Sequence, residues 1–176
     1  DPTMIHDASF YEKTLLKGYE KTDESKMVSC ILGKEHKGHC LQLSNWAWKR
    51  SLAYEELYWT SWDFFHMEFC KGAFYHISVS EWLNEIRNAS YVVTNSFHCA
   101  VFAILFHKQF VVLNNHSGGG DRIRTLLTAL HLEDRFSSSL DDRILGQLLH
   151  EPIPYEKVEK RLDVLRESSL TFLKNL

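Results

Sequence analysis

Four consecutive residues, Phe110-Val111-Val112-Leu113, contain no polar position, and a second short run, Tyr91-Val92-Val93-Thr94, is β-branched at its centre. A strand without in–out alternation fits only where both faces of its sheet are covered. Between the two runs, 97–107 reads as a helix that is apolar nearly all round and therefore buried. Ahead of the first run, Ser78-Val79-Ser80-Glu81 has the form of a capping box, followed by Trp82, Leu83, Ile86 and Ala89 at helical spacing. Behind the second, Ile123, Leu126, Leu127 and Leu130 mark an amphipathic helix. Helix, strand, helix, strand, helix in that order joins parallel strands by crossover helices. The fold class expected is α/β: a small parallel sheet flanked by helices, in one domain spanning 1–176.

The rest of the chain reads less evenly. A short helix is expected over 9–16, then a polar loop over 17–26. Met27-Val28-Ser29-Cys30-Ile31-Leu32 reads as a buried strand stopped by Gly33. Through 34–75 the aromatic residues fit neither period, and a helix over 45–58 is the only element expected there. Ile144, Leu145, Leu148 and Leu149 mark a further helix, and Pro152 and Pro154 break the chain after it. A last helix carries Val158, Leu162, Leu165, Phe172 and Leu176 as a stripe.

Composition removes several function classes. A formal charge of −3 offers no bulk attraction to nucleic acid or to an anionic membrane. The longest apolar run, 100–106, falls far short of the roughly 20 residues that cross a bilayer. The chain opens on Asp1 without a basic-then-apolar leader, so it is expected to be a piece whose upstream part is missing. Cys30, Cys40, Cys70 and Cys99 never form Cys-x-x-Cys, and a chain of 176 residues can build a core without disulfide staples, which favours a reducing cytosol. Asn88-Ala89-Ser90 and Asn115-His116-Ser117 match the glycosylation pattern, but the first falls at a helix end and is discounted.

Open parallel sheets bind ligands beyond the carboxyl ends of their strands, which directs attention to the turns after Thr94 and Leu113. In Thr94-Asn95-Ser96-Phe97-His98-Cys99, free amides of a helix's first turn and the positive end of its dipole form an anion site, with His98 in that turn. Without a ligand, Ser96 is simply an N-cap and His98 a spacer. In 114–122, Gly118, Gly119 and Gly120 allow close backbone approach, Asn115 offers an amide, and Arg122 and Arg124 offer cationic forks. That loop lacks both the Walker ending and the dinucleotide glycine spacing, and Asp121 fits as a cap for the next helix. His36-Lys37-Gly38-His39-Cys40 has no second ligand pair at finger or ribbon spacing, so no metal is expected. Cys99 and His98 are adjacent on a helix and point about 100° apart, which rules out a thiol–imidazole dyad.

Taken together, 80–89, Val92-Val93-Thr94-Asn95-Ser96-Phe97-His98 and 102–110 resemble the polysaccharide pyruvyl transferase family. Ile123-Arg124-Thr125-Leu126-Leu127 and His131-Leu132-Glu133-Asp134-Arg135 are similar to that family's downstream segment, and Asp1-Pro2-Thr3 to its entry into a second domain. The likeness is good over 78–136 and loose over 1–32. Asn95 stands where Asp is frequent, Cys99 where Gly is frequent, Gln109 where Pro is common, and Ser96 where some members carry Arg. The resemblance implies the carboxyl-terminal half of a GT-B-like pair of Rossmann-like domains, the amino-terminal domain being absent and this chain alone inactive. It implies phosphoenolpyruvate as donor substrate, with no further cofactor, and a glycan of a bacterial cell envelope or exopolysaccharide as acceptor. His98 is then the general acid or phosphate-side donor. Asn95, Ser96, Phe97 and His98 hold the anion, Arg122 or Arg124 neutralises it, and Asn115, Gly118 and Gly119 supply loop contacts. The location implied is the cytoplasm or the inner face of the membrane. Two alternatives stay open: a nucleotide-sugar-binding half of a GT-B glycosyltransferase, and a non-catalytic relative that binds glycan or a partner.

Overall fold

The computed structural model describes residues 2–22, 25–33, 36–57, 78–114 and 120–175. A 3-10 turn, Pro2–Ile5, leads into α1 (Ala8–Thr14), β1 (Lys26–Cys30), α2 (His36–Trp48) and β2 (Ala53–Glu56). Then come α3 (Val79–Asn88), β3 (Tyr91–Thr94), α4 (Phe97–Leu105), β4 (Gln109–Leu113) and α5 (Gly120–Leu130). A 3-10 turn at Glu133–Arg135 runs into β5 (Phe136–Ser137), and α6 (Asp142–His150) and α7 (Tyr155–Lys174) close the chain. The five strands are all parallel, in the order β2-β1-β3-β4-β5. This is the parallel α/β arrangement that the strand and helix patterning predicts, and it is Rossmann-like, as the family resemblance implies.

Two cores cover the sheet. On one face Val28, Val92, Phe110 and Val112 pack with residues of α3, α4, α5 and α7. On the other, Met27, Ile31, Val93, Val111 and Leu113 meet Cys40, Leu43, Trp46 and Ala47 of α2 and Ile144, Leu145 and Leu148 of α6. Central strands therefore have no solvent face, which is why 110–113 carries no alternation. Helix α4 is buried from Cys99 through Leu105. Each such Val, Ile or Leu contributes about 1.5–3 kcal/mol relative to exposure. The predicted capping box exists in both halves: Glu81 N donates to Ser78 Oγ, and Ser78 N to Glu81 Oε2.

The structure departs from the sequence reading in four places. Over 45–58 there is no single helix. Helix α2 starts earlier, chain direction changes at Ser51 (φ 57°), and β2 follows. The helix was hidden because its buried stripe of Cys40, Leu43, Trp46 and Ala47 contains only one aliphatic side chain of any length. The strand was hidden because Ala-Tyr-Glu-Glu is a half-exposed edge with no apolar run. Most of the aromatic residues that obscured this region, from Tyr58 to Phe65, lie outside the described residues.

Of the stripe predicted for the last helix, Val158 and Leu162 are buried and Leu165 and Phe172 are exposed, while Leu176 lies outside the described residues. Anchors at the start and middle explain this. Tyr155 Oη donates to Ala103 O and Lys108 O, Arg161 to Leu130 O and Arg166 to Met4 O, after which the helix runs past the body of the domain. Strand β5, two residues long, is too short to carry a pattern. Asn88 of the first glycosylation match is buried, with Thr22 N donating to its side-chain oxygen.

Several protons are held more tightly in this fold than in an open chain. Burial pushes the Tyr155 phenol well up, and it also raises that of Tyr11. Tyr54 is raised by burial first and by its contact with Cys40 next. Burial works against the Lys26 ammonium, but Glu85 and Glu55 beside it outweigh that and raise it. For every one of these groups the stabilisation is complete below the unfolded-state value near pH 10 and is lost as pH rises through the folded value. Urea unfolding should therefore show stability steady to about pH 8, declining from there as the thiol of Cys99, raised by burial in the fold, ionises in the unfolded chain, and falling steeply above about pH 10. Tyr155→Phe should flatten that alkaline slope by about 1.4 kcal/mol per pH unit, the contribution of one proton.

Candidate functional site

Strand order marks where a ligand site is expected in a sheet of this kind. From β1 the chain moves outward to β2, then returns past β1 to β3 and continues to β4 and β5. The reversal falls between β1 and β3, and in sheets of this kind the crevice outside the carboxyl ends at that point receives the ligand. The turns at that point are Ile31-Leu32-Gly33 after β1 and Asn95-Ser96-Phe97-His98 after β3. Gly33 has φ 90°, a left-handed conformation that glycine adopts without strain and that turns the chain away from the strand end.

A small polar knot fixes the two strand ends together. Thr94, fully buried, donates from Oγ1 to Cys30 O at 2.7 Å and accepts from Ser96 N at 2.9 Å. Asn95 N donates to Cys30 O at 3.2 Å. The Asn95 side chain satisfies one residue on both sides: Leu32 N donates to Oδ1 at 2.6 Å and Nδ2 donates to Leu32 O at 2.9 Å. Asn95 is only 3% exposed, so this amide braces the crevice wall, a role that the sequence reading of it as an anion contact did not include.

Helix α4 begins at the rim of that crevice. Ser96 occupies the N-cap position with extended backbone, but no side-chain cap hydrogen bond is made, which corrects the expectation that its hydroxyl caps the helix. The Ser96 amide itself donates to Thr94 Oγ1, and the first-turn amides of α4 receive no hydrogen bond from the Ser96 hydroxyl. Ser96 and Phe97 are half-buried and His98 is exposed. Cys99, one residue on, is completely buried beside Cys30, and burial pushes its thiol well above the ordinary value. Imidazole outward and thiol inward is the geometry expected of neighbours on a helix, and it leaves Cys99 as packing.

Of the two arginines predicted for this site, the structure brings one to the α4 rim. The Arg122 guanidinium lies over the Phe97 ring, 4.2 Å from its centroid, and the His98 ring meets the same ring in a T-shaped contact at 5.6 Å. Arg124, two positions along α5 and so on nearly the opposite side of the helix, stacks on Phe136 of β5. Asp121 stands inside the first turn of α5, one residue after its start, and not at the cap. Asn115, Gly118 and Gly119 lie outside the described residues. Gly120 opens α5 where an added Cβ would stand 3.1 Å from Asn114 Oδ1, so glycine there suits a close approach. Cys40, from the His36–Cys40 run, faces Ser29 in the core at 3.8 Å, and Ser29 also bonds Tyr54 at 2.8 Å. Among the described residues no group of three or more His, Cys, Asp or Glu side chains converges on one point.

Fold and site define an α/β domain with an exposed imidazole and a half-restrained guanidinium at a helix N-terminus on the sheet's switch point. The profile of a family described as polysaccharide pyruvyl transferase matches residues 3–117, more than half of the chain, and the protein belongs to that family. The matched residues include Asn95, Ser96, Phe97 and His98 and end before Gly118, Arg122 and Arg124. No curated protein and no solved structure matches the chain significantly. No helix among the described residues is long and apolar enough to cross a membrane.

Removing the Asn95 amide leaves Leu32 N and O without their partner at the crevice wall. Asn95→Ala should lower the unfolding free energy by about 1–3 kcal/mol, measured by urea titration. Ser96→Ala, which breaks no cap, should stay within about 0.5 kcal/mol of the parent.

Proposed function

We propose that this chain is the donor-binding half of a polysaccharide pyruvyl transferase that takes phosphoenolpyruvate between the ends of β1 and β3. The reading is supported above all by the exposed imidazole of His98 on the first turn of a helix that lacks a side-chain cap. Backbone amides of Phe97 and His98, aided by the helix dipole, suit one anionic group of the donor. The Arg122 fork suits the other. Arg124, held on Phe136, has the weaker claim.

In the proposed reaction, the His98 imidazolium gives its proton to the methylene carbon of the enol, and the carbon bearing the phosphate becomes electrophilic. One sugar hydroxyl adds to that carbon and returns a proton to the imidazole. The bond from that carbon to the phosphate oxygen then breaks, and phosphate departs with the electron pair. A second hydroxyl of the same sugar closes the ketal, and its proton leaves with the phosphate. The donor carries its own leaving group, so this chemistry calls for no further cofactor. A second Rossmann-like domain, facing this one across a GT-B-like cleft, supplies the acceptor side. The acceptor proposed is a glycan of a cell envelope or exopolysaccharide, met at the cytosolic face of the membrane.

Titration calorimetry with phosphoenolpyruvate and with a panel of nucleotide sugars tests the donor. Phosphoenolpyruvate should bind, and His98→Ala should weaken it by about tenfold or more with an unchanged melting curve, as expected for loss of one hydrogen bond to a charged group. An unchanged affinity removes His98 from the site. Uptake of a nucleotide sugar instead reassigns the domain to glycosyl transfer. If neither class binds, and full-length protein with candidate glycans releases no phosphate from phosphoenolpyruvate, the domain is a binding relative only.

A further inference from the structure

We infer that the side chain of Phe97, and not only its backbone amide, is a positioning residue of this site: its ring joins the imidazole of α4 to the cation of α5. The inference rests on the donor reading above. Phe97 is half-buried, packed on the core at its base, and stands between two exposed polar residues. Arg122 covers the ring at 4.2 Å and His98 meets it at 5.6 Å with planes 84° apart. Adding the two distances places the guanidinium carbon within about 10 Å of the imidazole centre, although 24 residues separate them in sequence.

An arginine on a helix surface has several free torsions, and immobilising it on binding is costly. Stacked on Phe97, it is restrained before the ligand arrives. The ring is itself the first residue of α4, so it moves with the helix amides and with His98. The three anion-directed groups therefore share one reference, and a ligand with two anionic groups a few bonds apart can engage them together. Packing against the core fixes where Phe97 stands, and its ring is one of the contacts that hold the Arg122 guanidinium in place.

A double-mutant cycle on the full chain tests this, using phosphoenolpyruvate affinity by calorimetry. Phe97→Leu keeps an apolar side chain on the core, and its melting curve serves as a control. It should weaken binding by about two- to fivefold, the equivalent of one exposed cation–π contact, and Phe97→Tyr, which keeps the aromatic face, should restore affinity. Placed in an Arg122→Gln background, Phe97→Leu should cost nothing further, because the ring acts through the guanidinium. The Arg122 side-chain N–H resonance in the ligand-free protein should lose its ring-current shift in Phe97→Leu and keep it in Phe97→Tyr. Additive losses, an affinity unchanged in Phe97→Leu, or a Tyr variant no better than Leu would each overturn the inference while leaving the donor reading in place. Absence of phosphoenolpyruvate binding by the unsubstituted chain would instead remove the donor reading and this role with it.

Discussion

Helix α4 is apolar on every side from Cys99 to Leu105, and the domain is arranged around keeping it dry. A helix of that kind cannot lie on a surface, so strands β3 and β4 run beside it and α3, α5 and the first half of α7 lie over it. Tyr155 spans the far end, donating to Ala103 O and Lys108 O where the helix stops. Only the leading turn reaches water, through Ser96, Phe97 and His98. The position of the candidate site thus follows from where an otherwise buried helix surfaces.

Burial fixes the place, and hydrogen bonds fix the shape. Beyond the ends of β1 and β3 the sheet ladder no longer pairs the backbone, and its groups need other partners. Thr94 and Asn95 meet that demand with short polar side chains turned back onto Cys30 and Leu32. Thr94 also accepts from the Ser96 amide, while the serine hydroxyl makes no cap bond to the first turn of α4. Buried polar contacts of this sort contribute modestly when made and cost considerably when broken, which suits a wall that must hold its geometry. The Lys26, Glu55 and Glu85 cluster and the Arg135 guanidinium, which donates to Gln147 O and Glu151 O, do similar work elsewhere in the domain.

The parts of the fold legible in sequence are those where a local rule and the tertiary environment agree. Ser78 and Glu81 cap α3 within one turn, and Val111 and Val112 need only a covered sheet to explain them. The illegible parts are those where context overrides pattern. β2 is a strand because Lys26 to Ser29 offers it a partner, not because Ala53 to Glu56 prefers extension. β5 exists for two residues against Val112 and Leu113. At the site, Ser96 looks like a cap and is not one, and Asn95 looks like a ligand group and spends its amide on Leu32.

Sequence by itself determined the fold class and the turn in which His98 sits, because apolar periodicity is a short-range property written into neighbouring residues, and the order of its linked motifs determined the family. It could not order the strands, and so could not say that β1 and β3 meet at the reversal of the sheet. It also offered Arg122 and Arg124 as equals. Their separation, one over Phe97 and the other over Phe136, was decided only when α5 packed with a particular rotation, since the two point to nearly opposite sides of a helix. Local chemistry is encoded residue by residue; which groups converge depends on long-range packing that no single segment contains.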